Sequence, residues 1–266
     1  MTNDSLFRSL EDRMAAGRAL RDSVPRQSHA GWAPPANRSD PIDILRESNQ
    51  DRLTELVPIR YGRMLRSPFT FLRGSAGLMA ADLATTPSIG AQVQACGDCH
   101  LLNFGLFATP ERNLIFDIND FDETLPAPWE WDVKRLAVSC AVAARDIQLN
   151  DRQARAAATE SVRAYRERLR KFAKMSPLEV WYYRLDAQTI IDAAPDGASR
   201  EKRKEMIEKA RCRIGDYLYP KISEEAAGRR RLVDHPRVLF HVCQEREPEH
   251  QPIVREALDQ YRLSLP

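Results

Sequence analysis

Between Cys96 and Glu123 the chain places carboxylates and amides where a folding polypeptide ordinarily puts apolar core. Asp98, Asn103, Asp117, Asn119, Asp120, Asp122 and Glu123 are interleaved there with Phe104, Phe107, Phe116, Ile118 and Phe121. An ionised carboxylate beside apolar groups costs free energy unless it is paired or binds a cation. Any fold open to this chain must therefore bring partners, or a divalent metal, to that cluster. Alternation predicts a strand at "AQVQAC", leading into the cluster, and another at "NLIFDIND", with Leu114, Phe116 and Ile118 on one face. "PERN" at 110–113 reads as the turn before the second strand, and the distance from Asn103 to Asp120 suits a hairpin of two short strands.

The rest reads as helix. Residues 1–38 are expected to form a mobile arm with one weak helix near 5–20, and 39–266 a single domain. A helix capped by Ser39 or Asp40, with Pro41 in its first turn, should run to about Leu56. The following stretch is irregular or short-helical, broken at Pro58 and Pro68, and "SAGLMAADLAT" is a short apolar helix ended by Pro87. "WEWDVKRLAVSCAVAARD" is amphipathic, with Val133, Leu136, Ala137, Cys140 and Ala144 on one face. Asn150 or Asp151 caps a helix over 151–174, and Pro177 precedes another helical piece. In 200–218 the stripe is Met206, Ile207, Ala210, Ile214 and Leu218. A basic turn and a strand-like run follow in "RRRLVDHPRVLFHV", then a last helix from Pro252. The expected class is α+β, mostly helical, with a small β-hairpin carrying the acidic motifs.

Formal net charge is +2, with 43% hydrophobic and 29% charged residues. That is ordinary for a soluble globular protein and points to no nucleic-acid partner. No run of about 18 apolar residues occurs, so no membrane partner is expected. The N-terminus is charged throughout and lacks the apolar segment of a secretory signal, which predicts a cytoplasmic chain with reduced cysteines. This bears on "CGDCH" at 96–100, which has the spacing of a c-type haem attachment. Covalent haem attachment normally needs export. A zinc site would need two more ligands, and Cys140, Cys212 and Cys243 are isolated. A redox pair would need a βαβ context that is not seen. A thiol or metal protein built on Cys96-x-x-Cys99 stands as a lesser alternative.

The acidic cluster suits phosphoryl transfer better. That chemistry needs an Asp to orient or deprotonate the attacking hydroxyl. It needs an Asn five residues on to hold a metal, and a second Asp, past a hairpin, to hold the metal that bridges the phosphates. Asp98, Asn103 and Asp120 have that order and spacing, with Asp122 and then Asp117 as fallbacks for Asp120. Mg²⁺, a hard cation preferring oxygen ligands, is the expected ion. "NDFDE" places Asp120 before Phe121 as in Asp-Phe-Gly, with Asp122 where the glycine would be. The competing reading is local: Asp98 capping a turn and "DINDFDE" a solvated loop.

"VPIRYGRM", "SPFTFLRGSAGLMAADLA", "CGDCHLLNFG" and "FDINDFDETLPAPWEWDVKRLA" resemble the bacterial family called domain of unknown function 2252, from about residue 40 to the C-terminus. "GDCHLLNFG" is also similar to the Gly-Asp-x-His-x-x-Asn loop of aminoglycoside phosphotransferases and choline kinases. The resemblance implies a protein-kinase-like catalytic-lobe fold and an ATP- and Mg²⁺-dependent phosphotransferase acting on a small-molecule or protein hydroxyl. It puts Asp98 at the catalytic-base position, Asn103 and Asp120 at the metal positions, and His100 where such loops keep a structural histidine. Asp132 resembles the helix Asp that braces the catalytic loop, its alternative being a helix N-terminal charge. Arg73 of "FLRG" is a candidate phosphate contact or half of a buried ion pair. One departure stands out: the eleven glycines include no Gly-x-Gly-x-x-Gly, and Lys134 lies on a helix. The resemblance implies that the glycine-rich loop and strand lysine follow the point where this chain ends. The expectation is a truncated chain lacking its nucleotide-holding part, with weak or absent turnover, or a non-catalytic pseudokinase-type binding module.

Overall fold

The computed structural model describes residues 9–111, 113–211, 215–226, 228–234 and 247–264. The chain divides into two compact units, 1–193 and 194–266. The fold is mostly helical α+β.

The first unit begins with α1 (Leu10–Ser23), capped by Ser9, whose hydroxyl accepts the amide of Asp12. It contributes no buried residue. After a short 3₁₀ turn, Arg38 reaches Asp82 with both prongs, Nε–Oδ1 at 2.6 Å and Nη2–Oδ2 at 2.9 Å, and lies over the Trp32 ring.

Asp40 caps α2 (Pro41–Glu47), with Pro41 in the first turn. The expected run to Leu56 stops at Glu47, and a chain of turns leads to α3 (Val57–Met64). Pro58 and Pro68 start helices rather than break one: each sits in a first turn, where its missing N–H is not needed. α4 (Pro68–Arg73) opens with a Ser67–Thr70 capping box. Gly74 then lets the chain pass Met64, because a Cβ there would lie 2.6 Å from Met64 Cγ. α5 (Ala76–Leu83) follows. Leu45, Met64, Phe69, Leu72, Ala76, Leu78 and Leu83 form the core of this part.

The β element is two separate two-stranded antiparallel sheets. β1 (Gln92–Ala95) pairs with β4 (Leu125–Pro128), with Gln94 opposite Pro126. β2 (Phe104–Ala108) pairs with β3 (Leu114–Ile118), with Phe104 opposite Ile118 and Gly105 opposite Asp117. The hairpin between Asn103 and Asp120 thus forms as expected. β4 was not expected, because "LPAP" carries two prolines; a two-stranded sheet has only edges, where a proline without its N–H is tolerated.

α6 (Glu130–Asp146) packs along α7 (Asp151–Phe172), which Asn150 and Gln153 start with a capping box. The expected apolar stripe of α6 is corrected here. Val133, Leu136, Ala137 and Cys140 are only half-buried, whereas Glu130, Arg135, Ser139 and Ala144 are buried. The deepest line is largely polar because it faces loop backbone that needs hydrogen-bond partners. α8 (Pro177–Trp181) and α9 (Ala187–Asp192) close the unit.

In the second unit, α10 (Gly197–Arg211) buries Ile207 and half-buries Ala210, but leaves Met206 exposed. Ile214 and the side chain of Leu218 lie outside the described residues. α11 (Gly215–Ile222) leads into a hairpin of β5 (Ser223–Ala226) and β6 (Arg229–Leu232). The arginines expected in a turn are therefore strand residues, and most of the strand-like run after them lies outside the described residues. Arg230 donates to Ser223 Oγ at 3.2 Å and covers the Tyr219 ring. α12 (Glu247–Ser264) is the last helix. No helix among the described residues is long and apolar enough to cross a membrane.

Candidate functional site

The loop from Cys96 to Asn103, between β1 and β2, is fixed by three side chains, two of them on α6. It turns at Gly97, whose φ of +78° suits glycine; a Cβ there would also come within 2.0 Å of the Glu123 carbonyl oxygen. From α6, the Asp132 carboxylate accepts the amides of Cys96 (2.8 Å) and Gly97 (3.2 Å). Also from α6, Ser139 Oγ accepts the amide of Leu101 at 3.0 Å. Asp132 stands in the first turn of α6, so it serves the loop and the helix start together.

The third hold is Asn103, which is 4% exposed. Its Nδ2 donates to the carbonyls of Asp98 (3.1 Å) and Asp120 (3.0 Å), and its Oδ1 accepts the amide of Asp120 at 2.9 Å. One side chain thus joins the backbone of Asp98 to that of Asp120. The backbone repeats the link, Asn119 N donating to Asn103 O at 2.9 Å. Gly105 makes room for this junction, since a Cβ there would strike Asn119 Nδ2.

Asp98 points into a cationic seat. Arg135, 2% exposed, gives its Nε to Asp98 Oδ1 at 2.9 Å and its Nη2 to the same oxygen. Arg135 is itself anchored on the Leu72 carbonyl at 2.6 Å. His100 Nε2 lies 3.3 Å from Asp98 Oδ2. Burial opposes ionisation of Asp98, but the His100 hydrogen bond and the Arg135 charge outweigh it and hold the carboxyl below the ordinary aspartate value. About a fifth of the Asp98 side chain stays exposed (20%), so the residue is not sealed inside the fold. His100 is expected to hold loop backbone; its ring instead faces the Asp98 carboxylate and the edge of Phe69, and its Nδ1 is buried with no hydrogen-bond partner among the described residues.

The acidic turn is built differently. Asp120 and Asp122 are both exposed, and Asp120 Oδ1 accepts the Asp122 amide at 3.2 Å. Asp117 Oδ1 accepts its neighbour's amide at 2.8 Å. Phe121 is 57% exposed. Arg73 ends α4 with an exposed side chain, in no ion pair among the described residues.

A divalent cation finds a partial donor set here. The oxygens of Asp120 and Asp122 are exposed and hard, which suits an ion that brings water or phosphate as its remaining ligands. Asn103 Oδ1 already accepts the Asp120 amide, which leaves it one lone pair to offer a cation. Among the described residues no group of three or more His, Cys, Asp or Glu is arranged to hold a metal ion.

The cysteines are quiet. Cys96 and Cys99 are free and buried. Burial, reinforced by the charge of Asp132, pushes the Cys96 thiol up to about 11 and the Cys99 thiol up to about 12. Neutral thiols of this kind are poor nucleophiles and poor metal ligands.

Arg135 and Ser139 were missed by sequence reasoning. Their signal was a cation and a hydroxyl one helical turn apart on a helix otherwise rich in alanine and valine.

The family described as an uncharacterized protein conserved in bacteria (DUF2252) has a model that matches residues 52–266. The chain belongs to this family. Its DUF2252 region holds every residue of the loop, the acidic turn and α6, and begins after α2. No curated protein and no solved structure matches the chain.

Proposed function

We propose that the Asp98 loop and the Asp120 turn form the acceptor and metal sides of a phosphotransferase site of protein-kinase-like type, using ATP and Mg²⁺. The observation that carries this reading is the Asn103 side chain, which ties the backbone of Asp98 to that of Asp120. That tie links the backbone under a partly exposed carboxylate, held below the ordinary aspartate value, to the backbone under two exposed ones, the kinds of group that hydroxyl activation and a phosphate-bound cation need. Asp98, held ionised by Arg135 and His100, accepts the hydrogen bond of an incoming hydroxyl and so fixes its direction; its lowered proton affinity makes orientation its main contribution. Asp120 and Asp122 would hold the Mg²⁺, which supplies charge neutralisation on the transferred group. Asp132 and Asn103 keep the loop and the turn in register. The acceptor is a small molecule or protein carrying a hydroxyl.

A non-catalytic binding module is the second reading, favoured by the same ion pair: a carboxylate already neutralised by a buried arginine is a weak base. Turnover separates the two. The full chain is incubated with ATP and Mg²⁺ or Mn²⁺, and ADP formation is followed alongside calorimetric metal binding. Metal-dependent turnover and metal binding, both lost in Asp120→Asn and turnover alone lost in Asp98→Asn, are expected. Metal binding equal in wild type and Asp120→Asn, or absent from both, removes the phosphotransferase reading.

A further inference from the structure

Beside the loop lies a cavity of about 260 Å³ that the proposed chemistry does not use. Arg52 and Arg60 line it, together with Ser48, Gly77 and Glu123. We propose that this cavity is an oxyanion site that takes the phosphate group of a small phosphorylated molecule.

The arginines are bonded to neutral acceptors, and the one internal charge near both, Glu123, makes no ion pair with either among the described residues. Arg60 is held by neutral acceptors: Nη1 donates to Asn49 Oδ1 (2.6 Å) and Nη2 to the Gly74 carbonyl (2.6 Å). Arg52 Nε donates to the Ser48 carbonyl at 3.2 Å. Among the described residues neither guanidinium makes an ion pair with a carboxylate, although a guanidinium has five N–H groups to give. Two like charges on one cavity repel. Burial and the neighbouring Arg52 charge accordingly lower the proton affinity of Arg60. Such an arrangement is relieved by an anion entering between them, and a planar guanidinium matches the geometry of a phosphate.

The lining adds donors of another kind. The cavity is lined by Ala76, Gly77 and Leu78, the first turn of α5. Their amides donate to no acceptor among the described residues, and Ser75 does not cap the helix with its side chain. Free first-turn amides favour an anion in front of them. Glu123, whose residue is exposed overall, is the one carboxylate among the described lining residues; desolvation of its carboxyl and the charge of Asp98 push it up, against the charges of Arg135, Arg52 and Arg60. Two guanidinium charges against one carboxylate leave the cavity cationic on balance. Its volume falls below the roughly 300–1,000 Å³ of drug-sized ligand pockets, so it suits a phosphate with little attached and not a whole nucleotide. A phosphorylated metabolite or the terminal phosphate of a nucleotide would offer the same group.

The test uses the full chain, titrated with inorganic phosphate by calorimetry in the presence of a chelator, in wild type and in Asp98→Asn. No metal and no transfer step is involved, so this result and the turnover result fail separately. Phosphate is expected to bind both proteins, and Arg52→Ala to weaken it about tenfold. Gly77→Asp is expected to abolish it. A Cβ at Gly77 meets nothing within 4 Å, and a carboxylate in a first helical turn favours the helix, so the melting temperature should hold or rise while the anion is excluded. Glucose 6-phosphate and ATP are then competed against phosphate; competition by either supports the site, and the tighter one names the source. No phosphate binding in wild type, unchanged binding in Arg52→Ala and Gly77→Asp, or failure of both organic phosphates to compete overturns it.

Discussion

The loop at 96–103 and the turn at 120–123 meet through one asparagine, yet they are built on opposite terms. In the loop nearly every polar group is committed. Asp132 takes two amides, Ser139 a third, Asn103 bridges to the turn, and Asp98 sits against Arg135 and His100. In the turn the backbone is held by Asn103, but the Asp120 and Asp122 side chains and the Phe121 ring stand in solvent. Polar groups that rigidify a fold are buried and satisfied, whereas groups kept for a ligand are exposed and under-used. By that criterion the loop is scaffold with one partly exposed carboxylate, and the turn is where the proposed site keeps its uncommitted carboxylates.

The comparison breaks first at Gly97. Gly97→Ala forces a side chain into a left-handed conformation and against the Glu123 carbonyl, where a backbone atom cannot swing away. A loss of about 4 kcal/mol is expected, read as a fall in the urea midpoint or as failure to accumulate folded protein. An Ala variant as stable as wild type would mean that the loop is not rigid. Arg135→Met comes next. It strips a largely buried carboxylate of its cation and frees the Leu72 carbonyl. Because Asp98 is a fifth exposed, the cost is set towards the lower end for a broken buried pair, about 3 kcal/mol.

Acid sharpens the same contrast at smaller cost. The Asp98 carboxyl lies below the ordinary 3.8, so the native state binds fewer protons there than the unfolded chain. Its contribution is present above that value and is lost as pH falls through the lowered one. The stability gap between wild type and Arg135→Met should therefore narrow as pH drops below about 4, since protonated Asp98 no longer needs the cation. Glu123 runs the other way. Its carboxyl lies above the ordinary 4.5, so its contribution is present below that value and lost as pH rises through the raised one. The advantage of Glu123→Gln over wild type should grow as pH rises from 4.5 through the raised value and level off above it in pH-dependent urea melts. A gap that widens in acid for the first pair, or a glutamine benefit confined to low pH, reverses the assignment.

The scaffold was legible in the sequence wherever it is local. The Asn150 cap, the strand at 92–95 and the hairpin around 110–113 follow from side chains acting within a few residues of themselves. β4 was hidden because proline argues against strand, and only its pairing with β1 selects it. Arg135 was hidden for a related reason. An amphipathic pattern says which face of α6 is apolar, but the partners that demand a cation and a hydroxyl there, Asp98 and the Leu101 amide, lie 37 and 38 positions away. The cavity of Arg52 and Arg60 joins segments on both sides of the point where the family match begins, so no single motif contains it. Asp132 as a brace followed from the resemblance, since an acid in a first helical turn has a sufficient local reason to be there.

The smallest expected effect is the most discriminating. Asp120→Asn keeps the size and shape of an exposed side chain and leaves untouched the backbone bonds by which Asn103 holds the turn. What it removes is charge at a site where solvent already screens charge, and Asn can still accept the Asp122 amide. Folding stability should shift by less than about 0.5 kcal/mol, as for an ordinary surface substitution. A larger loss, measured by urea unfolding without metal, would make Asp120 part of the scaffold and erase the distinction between loop and turn. A larger gain would mean that Asp120 and Asp122 repel in the free protein, the signature of carboxylates gathered for a cation that is not a structural part of the fold.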